Sequence, residues 1–204
     1  MAELWIAAAF PAVIWVFLTS VSLLISQNWR WIVLILALQY MGVFVLTGIH
    51  WPLEMAVVKL VAGWMATIVL GIATGEATIL QPQSWREAEY SWPSSRLFRL
   101  LAAGLVSLAV FSVAPKVVAW MPGVSLAQAA GGLILLGMGL LHLGLTAQPL
   151  RAAAGLLTAL SGFEILYAAV ESSALVAGLL AAVNLGLALV GAYLLLAPNL
   201  EEAG

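Results

Sequence analysis

The sequence predicts an all-α, polytopic membrane protein with about seven transmembrane helices, and three observations carry that expectation. Of 204 residues, 64% are apolar and only 8% are charged, against about 25% charged in soluble domains. Mean hydropathy is +1.12, so there is too little polar surface to clothe a soluble globule. Apolar runs of roughly 20 residues, the length that crosses a bilayer core, recur almost end to end, separated by segments that concentrate proline, tryptophan and charge.

The N-terminus, MAELWIAAAF, has no basic n-region and no small-residue cleavage site, so it reads as a retained first span from about Trp5 to Ile25. Ser26 to Arg30 turns the chain into a second span, about Trp31 to Gly48. His50-Trp51-Pro52 is a tight turn, with Pro52 suited to the first turn of the next helix. The third span covers about Leu53 to Ala73, and the one long polar connection follows, Gly75 to Arg96. Within it Trp85 and Trp92 suit the headgroup layer, and Trp85 to Tyr90 reads as a short surface helix.

The fourth span, about Leu97 to Trp120, is interrupted by Pro115 and ends at Met121-Pro122-Gly123. The fifth, about Leu126 to Thr146, is rich in glycine, which in lipid serves helix packing. Gln148-Pro149-Leu150-Arg151 reads as a tight basic turn before the sixth span, Ala152 to Val170. Glu171-Ser172-Ser173 leads to the seventh, Ala174 to Ala197, and Glu201-Glu202 follows. Ala174, Gly178, Ala182 and Gly186 form a small-residue stripe that would let a neighbouring helix approach closely. Everything reads as one membrane domain: helices 1 to 4 over residues 1–125, with the connection 75–96, and a three-helix module over 126–204.

Arg30, Arg86, Arg96, Arg99 and Arg151 all fall at connections 1–2, 3–4 and 5–6, whereas Lys116 alone lies toward the other side. Positive charge in short loops marks the cytoplasm, so the N-terminus is expected outside and the C-terminus inside. Cysteine and aspartate are absent, which removes disulfides, thiolate metal sites and a cysteine nucleophile. No basic stripe points to nucleic acid. No metal-ligand spacing, nucleophile elbow or phosphate loop occurs, so no catalytic residue, cofactor or metal is expected, and the expected surroundings are the lipid bilayer.

What remains is a small set of polar residues at membrane depth. An intramembrane carboxylate costs at least about 2.5–3.5 kcal/mol and is a functional hypothesis by default. Glu164 lies near the middle of the sixth span, ~4–5 Å to the outer side at ~1.5 Å of rise per residue. Lys59, on the third span, falls ~6 Å to the outer side by the same arithmetic, so the two opposite charges share a depth on different helices. Gln39 sits mid-way along the second span, Asn184 mid-way along the seventh, and His142 toward the inner end of the fifth. Glu54, Glu171 and Lys116 fall at the outer interface, and most tryptophans read as interface anchors. Two readings of Lys59 and Glu164 stand side by side: a static pair that fixes helix register, or a carboxyl that carries protons and is modulated by an ammonium. Gln39 and Asn184 fit interhelical glue as well as a pathway, and His142 fits packing better than a relay.

The last three spans resemble a known family. Gly132-Leu133-Ile134-Leu135, the basic turn at Arg151, Ser161-Gly162-Phe163-Glu164-Ile165-Leu166 and Gly186-Leu187-Ala188-Leu189 are similar to the three-helix subunit K of bacterial complex I and to its small three-helix relative in Mrp-type cation/proton antiporters. The seven-span layout, with Val57-Val58-Lys59-Leu60 in the third span, resembles component E of hydrogenase-4. Subunit K usually carries a second glutamate in its third helix, where this chain has Ala182, with Asn184 two residues on. A relay between two glutamates is therefore in doubt, and Lys59 stands as the candidate second charge.

The resemblance implies a non-catalytic membrane subunit of a proton- or sodium-translocating complex in a bacterial or archaeal inner membrane. Redox chemistry would lie elsewhere, and antiporter-like membrane subunits would be the neighbours. The implied pathway residues are Glu164, Lys59, Gln39, Asn184 and His142. The alternative is a structural scaffold with no conducted ion. A stand-alone transporter is disfavoured by the lack of midplane helix breaks or paired inverted halves in the sequence.

Overall fold

A computed structural model describes residues 2–80 and 96–202, with side chains described for 7–80 and 96–197. The described residues form seven helices: α1 Ala2–Ile25, α2 Trp29–Thr47, α3 Leu53–Leu80, α4 Arg96–Trp120, α5 Leu126–Gly144, α6 Pro149–Ala168 and α7 Ala174–Glu202. Each is long and apolar enough to cross a membrane, and the chain is a multi-pass membrane protein. The expected surface helix at Trp85 to Tyr90, with Arg86 and Trp92, lies outside the described residues.

Local chemistry sets the helix ends. The Asn28 side chain accepts the Arg30 N–H at 2.9 Å and starts α2. Ser125 and Gln128 form a reciprocal capping box at the start of α5. Gly123, with φ +99°, makes the turn between α4 and α5, a conformation that suits glycine.

Three boundaries differ from the sequence expectation. α3 continues to Leu80 and takes residues 75–80 out of the polar connection. α4 runs unbroken through Pro115, as α1 does through Pro11. In lipid no water competes for backbone groups, so one missing N–H does not open the helix. α6 begins at Pro149, whose fixed φ suits the first helical position. Arg151 thus lies in its first turn and is buried, as is Arg99 in the first turn of α4. Neither is a solvated loop cation.

α5 and α6 form a tight antiparallel pair, and α3 packs closely along α7, which crosses in the same direction. α2 lies among α1, α3 and α6, while α4 packs on the outside against α5 and α1. The α5–α6 contact is backbone to backbone: a Cβ on Gly139 would stand 2.5 Å from the Ala159 nitrogen, and one on Gly162 the same distance from the Leu136 nitrogen. The main apolar core joins Leu23, Ile32, Leu36, Leu70, Leu157 and Ala188 from five helices.

Two tryptophans are not interface anchors. Trp15 donates its indole N–H to the Leu38 carbonyl at 2.8 Å, and Trp64 donates to the Ala37 carbonyl at 3.1 Å. They pin α2 to α1 and to α3 at mid-helix, where an indole N–H has no water to bond.

The small-residue stripe of α7 does not serve packing within the chain. Gly178 and Gly186 have open space where a Cβ would stand, and Ala174 and Ala182 are exposed. The packed face carries Ala177, Asn184, Ala188 and Gly191 instead. The reason is Asn184: its amide needs polar partners, which the bundle interior offers and lipid does not.

Candidate functional site: a buried carboxylate cluster

Four helices each contribute one polar side chain to a single interior point. α6 brings Glu164 and α3 brings Lys59, and the ammonium pairs with the Glu164 Oε2. α7 brings Asn184, whose Nδ2 donates to Glu164 Oε1 at 2.9 Å and to its own helix at the Leu180 carbonyl at 3.1 Å. α2 brings Tyr40, whose hydroxyl donates to Asn184 Oδ1 at 3.2 Å. The Tyr40 ring also lies against Lys59, with Nζ 5.2 Å from its centroid. Glu164 and Asn184 are 0% exposed, Tyr40 1% and Lys59 3%.

The backbone makes room for this. Gly63, one turn along α3 from Lys59, faces the Tyr40 ring, and a Cβ there would overlap the ring carbons. A glycine at that place lets the aromatic side chain of α2 reach across α3 toward Lys59.

One turn from Glu164 on the same helix, the Ser161 hydroxyl faces the Tyr40 hydroxyl and donates to the Leu157 carbonyl at 2.8 Å. A turn further, Thr158 accepts from Gln39 Nε2 at 3.0 Å. The other amide atom, Gln39 Oε1, is buried without a hydrogen-bond partner among the described residues. His142 stands apart from the carboxylate, in the last turn of α5 against Gly155, with Arg151 and Arg99 as the charges that face it. Its Nε2 is also buried without such a partner. Arg99 donates to the Leu24 carbonyl at 3.0 Å.

Five residues were singled out from the sequence. The structure joins Lys59, Glu164 and Asn184 directly, puts Gln39 two turns along α6, and leaves His142 at the arginine-bearing end. Glu54, Glu171 and Lys116 are exposed. Sequence reasoning missed Tyr40, Ser161 and Thr158. The signal for Tyr40 was the glycine four residues after the lysine, which provides space for a large neighbour.

Chemically, burial penalises the charged form of each group and pairing favours it. With those effects opposed, small changes in Lys59–Glu164 distance or in hydration shift where the proton resides. Among the described residues no group of three or more potential ligands could hold a metal ion.

Comparison with known proteins gives no further guide: no family model, curated protein or solved structure matches the chain.

Proposed function

We propose that this chain is a non-catalytic membrane subunit of a proton- or sodium-translocating assembly of the complex I-like, hydrogenase-4-like or Mrp-like kind, and that Glu164 is its protonatable group. The observation that carries the reading is the division of one fully buried carboxylate between an ammonium on α3 and an amide on α7. Intramembrane ionisable groups mark ion and proton routes, and this one is held by partners on two other helices. The resemblance of the last three helices to subunit K supports the same reading, and antiporter-like subunits are the proposed neighbours in a bacterial or archaeal inner membrane.

In this reading the end that carries Arg30, Arg96, Arg99 and Arg151 faces the cytoplasm, with the N-terminus outside and the C-terminus inside. Lys59 modulates the carboxyl, Asn184 and Tyr40 orient it, and no acid between Ala174 and Ala197 of α7 receives its proton. Glu164→Gln should abolish coupled ion transport by the assembled complex in sealed vesicles while leaving assembly intact. Normal pumping in that variant overturns the reading.

One observation favours a second reading, a static scaffold: both Glu164 oxygens have partners, so the pair is also suited to fixing helix register. A charge swap separates the two. With Lys59→Glu and Glu164→Lys combined, a scaffold assembles and the complex still pumps, whereas a proton site loses transport in an assembled complex.

A further inference from the structure

The cluster around Glu164 is sealed, and a group that exchanges protons needs a route to water. Between Ala174 and Ala197 α7 has no carboxylate, so a lateral hand-over at membrane depth on that helix is not available. The polar residues that remain line up in another direction. Along α6, Ser161 and Thr158 follow Glu164 at successive turns toward the arginine-bearing end. Tyr40 and Gln39, neighbours on α2, meet them there. The line then reaches Gly155 and His142.

Among the described residues, Gln39 Oε1 and His142 Nε2 in this region are buried without a hydrogen-bond partner. Buried polar atoms without a protein partner are the places where internal water binds. Gln39 bonds Thr158 and His142 lies against Gly155, three residues away on α6, so at ~1.5 Å of rise per residue the two levels differ by about 4–5 Å, a step that one or two waters with ~2.8 Å bonds span.

We infer that internal water between Gln39 and His142 connects the Glu164 cluster to the arginine-bearing membrane face, with His142 at the mouth of this route. The inference rests on the reading of Glu164 as a proton site. The step is a proton transfer alone. The Glu164 carboxylate gains a proton from the water line, the line regains one at His142 from the aqueous face, and no other bond forms or breaks.

The test follows the Glu164 carboxyl band by infrared difference spectroscopy on the full chain in lipid nanodiscs after a pH jump, with the band assigned through Glu164→Gln. His142→Phe removes the ring nitrogens at similar volume, and Gln39→Leu removes the amide. Each should slow the response by about tenfold or more, the effect of breaking one hydrogen-bonded step. His142→Gln, which keeps a polar side chain there, should respond within a few-fold of the parent. Parent-like rates in both His142→Phe and Gln39→Leu overturn the route and leave the Glu164 reading intact. If one variant does not fold, the other decides. A carboxyl band that does not respond to pH in the parent protein overturns both.

Discussion

The Tyr40 ring lies over the Lys59 ammonium, 5.2 Å from centroid to Nζ, while its hydroxyl reaches Asn184. One side chain of α2 thus touches two of the groups that surround Glu164. Its position depends on Gly63, where no Cβ can be accommodated without displacing the ring.

The first prediction follows from that dependence. Gly63→Ala forces the ring or the α2–α3 spacing to shift, and overpacking of this kind costs about 1–3 kcal/mol. Tyr40→Phe keeps the ring and removes only the hydroxyl bond to Asn184, a loss of about 0.6–1.7 kcal/mol in a membrane bundle. Thermal unfolding in detergent micelles should therefore rank Gly63→Ala as the more damaging of the two. The reverse order would mean that the ring is free to move.

The second prediction concerns the ion pair. Removing one partner of a buried pair typically costs about 3–5 kcal/mol, because a charge is left uncompensated, whereas replacing both with apolar residues is often close to neutral. Lys59→Met and Glu164→Met should each lower stability markedly, and the double variant should recover most of the loss. A double-mutant cycle on unfolding free energies measures this directly. Additive losses would mean that the two groups do not depend on each other.

The same contrast explains what the sequence made legible. Lys59 and Glu164 stood out because charge in an apolar run is rare, and helical rise alone placed them at one depth. Seven spans were legible because apolar runs of bilayer length need no tertiary information. What periodicity did not reveal was the orientation of each helix about its own axis. The α7 glycines were read as the packed stripe, yet α7 turns its asparagine inward and leaves Gly178 and Gly186 in open space. A single polar residue at depth outweighs several small ones, because lipid cannot satisfy an amide but tolerates a glycine. Proline was over-read at Pro115, where a helix break needs a solvent to accept the freed groups, and at Pro149, whose fixed φ opens α6 where a turn was expected. Arg99 and Arg151 looked like loop cations because they flank turns, but each enters the first turn of a helix and folds into the bundle.

A third prediction addresses the α5–α6 pair. Gly139 faces the Ala159 nitrogen and the Gly155 carbonyl, both backbone atoms that cannot swing aside. Gly139→Leu must separate the two helices, with loss of the close backbone contacts on which membrane helix pairs depend. The expected outcome is a protein that inserts but unfolds at much lower temperature or denaturant. Gly144→Leu on the same helix meets no neighbour within 4 Å and should leave stability within about 0.5 kcal/mol.

The last prediction tests which face of α7 is buried. At Gly191 a Cβ would stand 2.8 Å from the Ala153 Cβ and 3.0 Å from Leu70 Cδ2, between α6 and α3. Gly191→Leu therefore drives a bulky side chain into the contact that carries Asn184 toward Glu164, and a cost of about 1–3 kcal/mol is expected. Gly178→Leu and Gly186→Leu place the same side chain in open space and should change the stability of the isolated chain by no more than about 0.5 kcal/mol. Unfolding of the three variants in one detergent gives the comparison. If Gly178→Leu were the most damaging, α7 would have to be rotated about its axis, and Asn184 would then lose its contact with the carboxylate.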